Sequence, residues 1–206
     1  MGGGPGGKMA STIAVDEIKK GVAAANKEEA ITNILIKAIR RANMAIIENG
    51  SEDLSLKGMG STCTVLLVNQ QSAHIAHVGD SRVYQLRGQA KVYRTFDHSM
   101  VFDLVKQKVI TEEQARLSAQ SNVITRALGI KPDVEVDTVE LPYESGDRFL
   151  LCSDGIHGSI SEKELISILS NKKISLGALL DDLVTKIDSI GRSNGGGHDN
   201  LTAVLV

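Results

Sequence analysis

Three turns centred on aspartate hold the residue types best suited to chemistry: Val78-Gly79-Asp80-Ser81-Arg82, Cys152-Ser153-Asp154-Gly155 and Gly197-His198-Asp199-Asn200. Each carboxylate lies at the end or the mouth of an apolar segment with strand character. Strand ends that meet at one edge of a sheet converge carboxylates into a cleft. Hard divalent cations such as Mg²⁺ or Mn²⁺ take such oxygen ligands, usually one or two carboxylates each with water completing the shell. The same aspartates also suit ordinary turns, because an Asp side chain bonds nearby backbone amides. Spacing alone leaves both readings open.

Other candidates are weaker. Gly2-x-x-x-x-Gly7-Lys8 matches the start of a phosphate-binding loop, but Met9 stands where a Mg²⁺-holding Ser or Thr belongs and no strand pattern precedes it. His74 and His77 share one strand pattern, His98 lies in a turn, His157 follows Asp154-Gly155, and His198 sits in the last loop. These five lack zinc-site spacing, and Cys63 and Cys152 form no CxxC pair. His77 and His98 read as structural. His198 reads as plain loop, with a substrate role the weaker alternative. Nothing places a base beside Ser81, Ser153 or Thr202, so none reads as a nucleophile. Arg82 reads as a partner that holds the carboxylates of its turn.

The elements that must position these turns follow from periodicity. Met1–Gly7, nearly all Gly and Pro, should form no regular element. A helix is expected from Ala10 to about Ala25, despite Gly21. A firmer one runs from Glu28 to Glu48, with Ile31, Ile34, Leu35, Ala38, Ala42, Ala45 and Ile46 on one face and Asn49-Gly50-Ser51 as its stop. Thr62–Asn69, Ala73–Val78, Arg82–Arg87 and Lys91–Phe96 should form a meander of antiparallel strands. Ser99–Gln120 is helical, its second part opened by a capping box at Thr111–Gln114. Val134–Leu141 should be an exposed strand and Arg148–Ser153 a buried one. Ser161–Glu164 is a second capping box, Leu176–Ile190 a strongly amphipathic helix, and Leu201–Val206 a last strand. This order describes one α+β domain with helices packed on antiparallel sheets.

Composition narrows the classes further. The 206 residues carry 23 Lys+Arg against 25 Asp+Glu, which gives no basic excess for bulk nucleic-acid binding. With 3% aromatics and no Trp, stacking platforms for single strands are also not expected. The 42% hydrophobic content is enough for a core, and no apolar run reaches the length of a membrane span. Met1 is followed by glycines rather than a signal peptide, and the two separated cysteines read as reduced core residues. The expectation is a cytoplasmic domain without membrane or nucleic-acid partners.

Read in full, the motifs change the weight of the aspartates. Gly60-Ser61-Thr62, Ala76–Tyr84, Asp97-His98-Ser99, Thr125–Gly129, Gly146–Gly155 and Gly197–Thr202 occur in that order. The series closely resembles the metal-dependent protein phosphatase family, the type 2C serine/threonine phosphatases, in its bacterial form, over essentially the whole chain. The resemblance implies an αββα sandwich, two antiparallel sheets flanked by helix pairs, as a single catalytic domain over residues 1–206. It implies that Asp154 is a carboxylate shared by metal sites, that Asp199 is the second protein ligand of the first metal, and that Asp80 serves a third, weaker metal. Asn200 would brace its neighbouring Asp from behind the ligand shell, as metal ligands usually require. Residues 99–122, beginning Ser99-Met100-Val101-Phe102, would form a flap beside the site that tunes substrate preference. The implied reaction is hydrolysis of phosphoserine and phosphothreonine in proteins phosphorylated by a Ser/Thr kinase, by water activated on Mn²⁺ or Mg²⁺.

The family's first metal motif reads Asp-Gly-Met-Gly-Gly, and this sequence starts at the Met. On the resemblance, the Asp that bridges the two catalytic metals and the Gly whose carbonyl binds one of them would precede Met1. The family's first strands, with a phosphate-binding Arg and another acidic residue, would precede it too. The expectation is therefore an N-terminally truncated phosphatase domain that keeps Asp154 and Asp199 around the first metal. A non-catalytic, phosphatase-like module that binds phosphoproteins is the alternative.

Overall fold

A computed structural model of the chain describes residues 5–118, 120–193 and 199–206. The chain divides into two compact units, one of the chain up to Asp80 plus Asp97–Pro142, the other of Ser81–Phe96 plus Tyr143–Val206.

In the first unit, helices α1 (Pro5–Ala23) and α2 (Ile31–Glu52) precede strands β1 (Cys63–Val68) and β2 (Ala73–Val78). Short helices α3 (Met100–Lys106) and α4 (Glu112–Arg116) and strand β5 (Asp137–Leu141) complete it. The sheet order is β1-β2-β5, with both pairings antiparallel. Every residue of the central strand β2 is buried. Ala10, Ala14 and Ile18 of α1 and Leu35, Ile39, Ala42 and Ile46 of α2 share one core with Cys63, Ala76, Val78, Leu128 and Val134. The helical spacing of those residues is what turns both helices toward the sheet. Asn43, on the same face of α2, is fully buried. It donates to the carbonyls of Lys131 and Pro132 and accepts from the Gly129 N–H, which ties the 125–132 loop to the helix.

In the second unit, β3 (Arg82–Arg87), β4 (Ala90–Arg94), β6 (Arg148–Cys152) and β7 (Ala203–Leu205) form an antiparallel sheet of order β4-β3-β6-β7. Helices α5 (Asp154–His157), α6 (Glu162–Leu169) and α7 (Leu176–Ser193) accompany it. Leu179, Leu183 and Ile187 of α7 pack with Leu165 and Leu169 of α6 against Tyr84, Leu86, Leu150 and Cys152 of the strands. Each unit is thus an antiparallel sheet with a helix pair on it, and the chain contains two such sheets with flanking helices.

Several expectations need correction. The four strands between Thr62 and Phe96 do not form one meander; they divide two and two between the sheets. Gly79, at φ +108°, breaks the run after β2, and each half then pairs with a strand from late in the chain, β2 with β5 and β3 with β6. Asn49-Gly50-Ser51 does not stop α2, which continues to Glu52. Asn49 Nδ2 and Ser51 Oγ donate to the carbonyls of Ala45 and Ile47 within the helix, and Gly50 is buried where an added Cβ would lie 3.2 Å from the Leu56 carbonyl. Gly50 marks a packing contact, not a cap. Pro5–Gly7 belongs to α1, since Pro fits the first turn of a helix; Met1–Gly4 lies outside the described residues.

The 99–120 stretch is helical in two short pieces, with Lys108 at φ +58° between them and the Thr111–Gln114 capping box in place. Strand β5 begins only at Asp137, and most of it is half-buried because β2 covers one edge. Cys63 and Cys152 are both buried, and neither is in a disulfide. Among the described residues no helix is long and apolar enough to cross a membrane.

Candidate metal centre

Strand β6 ends at Cys152, the backbone is still extended at Ser153, and α5 begins at the next residue, Asp154. Strand β7 pairs with β6 through Cys152↔Ala203, so the residues just before β7 lie beside those just after β6. The ladder continues outward on side chains. The Ser153 N–H donates to the Thr202 carbonyl at 3.0 Å, and the Thr202 N–H donates to Ser153 Oγ at 3.2 Å. Ser153 Oγ in turn donates to the Asn200 carbonyl at 3.2 Å. Ser153 therefore splices the two loops rather than acting as a nucleophile.

Gly155 shows how close this approach is. A Cβ there would lie 2.4 Å from the Asn200 carbonyl oxygen and 3.3 Å from that of Asp199. Only a residue without a side chain lets the Asp154 turn sit against the Asp199-Asn200 backbone. The structure thus brings Asp154 and Asp199 together at one end of the sheet. Asp154 Oδ1 accepts from the Gly155 N–H at 2.9 Å, and Asp199 Oδ1 accepts from the Asn200 N–H at 2.7 Å. Asn200 orients its neighbour through the backbone. Carboxylates and carbonyls form a hard-oxygen donor set, which fits Mg²⁺ or Mn²⁺ and not a thiophilic metal. His198 lies outside the described residues; His157 closes α5, half-buried.

Asp80 lies in the other unit, half-buried in the turn after β2. Gly79, before it, combines its positive φ with a contact in which a Cβ would fall 2.5 Å from Thr62 Cγ2. Arg82, at the start of β3, is buried and donates from Nη1 to the Tyr84 hydroxyl at 3.1 Å. Burial pushes the Tyr84 phenol up to about 12, so it stays a neutral partner for the guanidinium.

In the 99–122 segment, Ser99 caps α3 by accepting from the Phe102 N–H, and it is fully buried. Val101 and Phe102 pack with Ala115 in a small core of their own, while Met100 is 52% exposed. Of these four residues only Met100 faces outward.

Sequence reasoning did not see that His77, His98 and Asp137 gather in the first unit, with one ligand atom from each within 4.8 Å of the others. The rings of His77 and His98 stack at 4.4 Å, and His98 Nε2 is 3.1 Å from Asp137 Oδ2. The distances admit a metal, but the Arg126 guanidinium is 2.8 Å from Asp137 Oδ1 and 3.3 Å from His98 Nε2. That cation opposes another. Burial holds His98 below the usual imidazole range, against the pull of Asp137. Burial raises the Asp137 carboxyl, and the bonds and charges of His98 and Arg126 outweigh it and leave it below its ordinary value. The sequence signal available for this cluster was the pair of short motifs Asp97-His98-Ser99 and Thr125–Gly129.

Comparison with known proteins agrees with the geometry. Residues 1–185 match the family model described as protein phosphatase 2C. Over 210 residues the chain is 37% identical to the serine/threonine phosphatase stp of Listeria innocua, covering all of this chain and 81% of that protein. It is 35% identical over 211 residues to protein phosphatase PhpP of Streptococcus pneumoniae, again over the whole chain and 82% of that protein. The solved structure of serine/threonine phosphatase Stp1 from Staphylococcus aureus is similar with a TM-score of 0.89 at 33% identity, covering all of this chain and 79% of that one. The Mycobacterium tuberculosis serine/threonine phosphatase PstP/Ppp is similar with a TM-score of 0.85 at 30% identity, covering all of this chain and 83% of that one. With two sheets and flanking helices in place, this chain belongs to the protein phosphatase 2C family.

Proposed function

We propose that the chain is a serine/threonine phosphatase that hydrolyses phosphoserine and phosphothreonine esters in proteins, with Mn²⁺ or Mg²⁺ held by Asp154 and Asp199 and a further, weaker ion by Asp80. The observation that carries this reading is the seating of Gly155 on the Asn200 carbonyl, which brings two carboxylates to one strand end. A catalytic-domain structure of a relative, PstP, is described in complex with two manganese ions. Bound metal would supply a water of lowered pKa and neutralise charge on the phosphate oxygens.

The chain's own residues do the positioning. Asp154 is aimed by the Gly155 N–H and Asp199 by the Asn200 N–H, and Ser153 keeps the two loops in register. Asn200 and Arg82 act as supports, Arg82 by fixing the start of β3 through Tyr84. Residues 99–122 serve as the substrate flap within a single catalytic domain over 1–206; Ser99, Val101 and Phe102 hold it together, and Met100 presents an apolar contact to the substrate. The protein acts in the cytoplasm on products of a Ser/Thr kinase, without nucleic-acid or membrane partners. Buried cysteines held as thiols and a net charge of −2 support that placement.

The test is Mn²⁺-dependent hydrolysis of a phosphothreonine peptide beside an Asp154→Ala control. Turnover that the substitution abolishes supports the assignment. A folded chain that binds the phosphopeptide without turnover would instead identify a non-catalytic binding module.

A further inference from the structure

Gly79, the residue before Asp80, has both of its backbone polar groups bound to one side of the molecule. Its N–H donates to His98 Nδ1 at 3.1 Å, and its carbonyl accepts from the His98 N–H at 2.9 Å. His98 is 2% exposed, and its own carbonyl accepts from the Thr125 N–H at 2.8 Å. Because Nδ1 accepts from Gly79, the proton of the neutral ring sits on Nε2, which faces Asp137 Oδ2 at 3.1 Å. Arg126 holds that carboxylate from its other oxygen at 2.8 Å and also bonds Glu135 at 2.7 Å. The His77 ring covers one face of the imidazole. Every hydrogen-bonding group of His98 is thus engaged, and two of these contacts close on Gly79.

We propose that His98 is a positioning residue for metal binding: it clamps the Gly79-Asp80 turn, with Asp137, itself held by Arg126, selecting the Nε2–H tautomer that lets Nδ1 accept from Gly79. The metal part of this rests on Asp80 being a ligand, as assigned above. Gly79 cannot hold the conformation unaided, since glycine at φ +108° has wide freedom and the Thr62 contact blocks it on one side only. Burial keeps the ring neutral and so preserves one tautomer. The next residue, Ser99, caps α3, so the same imidazole roots the 99–122 segment and the metal turn on one point.

The test begins with the unmodified chain, where ¹⁵N NMR reads the His98 tautomer; Nε2–H is expected and Nδ1–H overturns the proposal. Mn²⁺ binding is then followed by calorimetry, and Gly79 amide exchange by NMR, in Asp80→Asn, Asp154→Ala, His98→Leu and His98→Asn. His98→Leu should weaken the step that Asp80→Asn abolishes by about ten- to hundredfold, as loss of a partner behind a metal ligand does. It should leave the step abolished by Asp154→Ala in place and speed exchange at Gly79. His98→Asn keeps an acceptor near the Nδ1 position and should restore both. A purely structural role would lower the melting temperature without separating the two binding steps, and an unchanged Asp80 step in folded His98→Leu overturns the proposal. If His98→Leu does not fold, Asp137→Asn serves instead: the new amide donates to Nε2, moves the proton to Nδ1 and opposes the Gly79 N–H. Should Asp80→Asn leave Mn²⁺ binding unchanged, the assignment of Asp80 fails, and the tautomer with Gly79 exchange still decides whether His98 clamps the turn.

Discussion

Gly155→Ala tests the geometry of the proposed metal centre with the smallest possible change. The added methyl would start 2.4 Å from the carbonyl oxygen of Asn200. Carbon and oxygen tolerate about 3.3 Å at closest approach, so the two loops must part by nearly 1 Å. The colliding oxygen is backbone, which no side-chain rotation can relieve. Asp199 moves with Asn200, and Asp154 moves with residue 155, so the carboxylates separate by a similar amount. Metal coordination tolerates deviations of only about 0.2 Å. A displacement of about 1 Å at a reacting centre costs roughly hundredfold in rate. Overpacking should also cost about 1–3 kcal/mol of stability. Initial rates on a phosphothreonine peptide across a Mn²⁺ series, Mn²⁺ calorimetry and thermal melting read the three effects separately. Gly177→Ala is the matched control. Its nearest neighbour, Ser175 Oγ, is 4.0 Å from the added carbon, so activity should stand and stability should rise by up to about 1 kcal/mol. A folded Gly155→Ala chain with unmodified Mn²⁺ affinity and turnover would refute the reasoning.

Further expectations concern the frame around the site. Asp147 accepts from Arg87 and Gln85, and these bonds hold its carboxyl well below the usual range. Its contribution is therefore fully present above the unfolded carboxylate range, near pH 4, and is lost as pH falls below it; Asp147→Asn should flatten the acid limb of a stability-versus-pH curve, and an unchanged limb would contradict this. Burial pushes the Cys63 thiol up to about 12. Alkylation at pH 8 should leave Cys63 unmodified until the chain unfolds, as peptide mass spectrometry would reveal. Asn43→Ala removes the partners of the Gly129 N–H and the Lys131 and Pro132 carbonyls and should cost about 1–3 kcal/mol or more by denaturant titration. Phe102→Ala empties the small core of residues 99–122. Amide exchange should rise there while the β2 amides stay protected; uniform acceleration would argue against a separate core.

The sequence by itself determined most of the elements and named the residues of the candidate metal centre. Ala73–Val78 and Arg82–Arg87 match β2 and β3 to the residue, because β-branched and apolar runs bounded by turn residues have one local solution. The amphipathic face of Leu176–Ile190 named the residues that pack on the second sheet, since helical period alone sets which side chains share a face. The turns at Asp80, Asp154 and Asp199 were legible by residue type as hard-oxygen donors or ordinary turns alike, and the family resemblance assigned them metal roles. Local signals failed wherever distant chain decides. The split of four consecutive strands into two sheets depends on β5 and β6, which arrive some sixty residues later. Gly50 looked like a helix stop and is a close contact with the Leu56 carbonyl. Gly155 looked like a turn residue, and only the arrival of Asn200 shows why a side chain is excluded there. His98 reads as structural and is buried and bonded as that reading requires, but its partners Gly79, Asp137 and Arg126 are related by no spacing. Periodicity reports the face a residue presents; which carbonyl or carboxylate meets that face is settled by chain that folds back from far away.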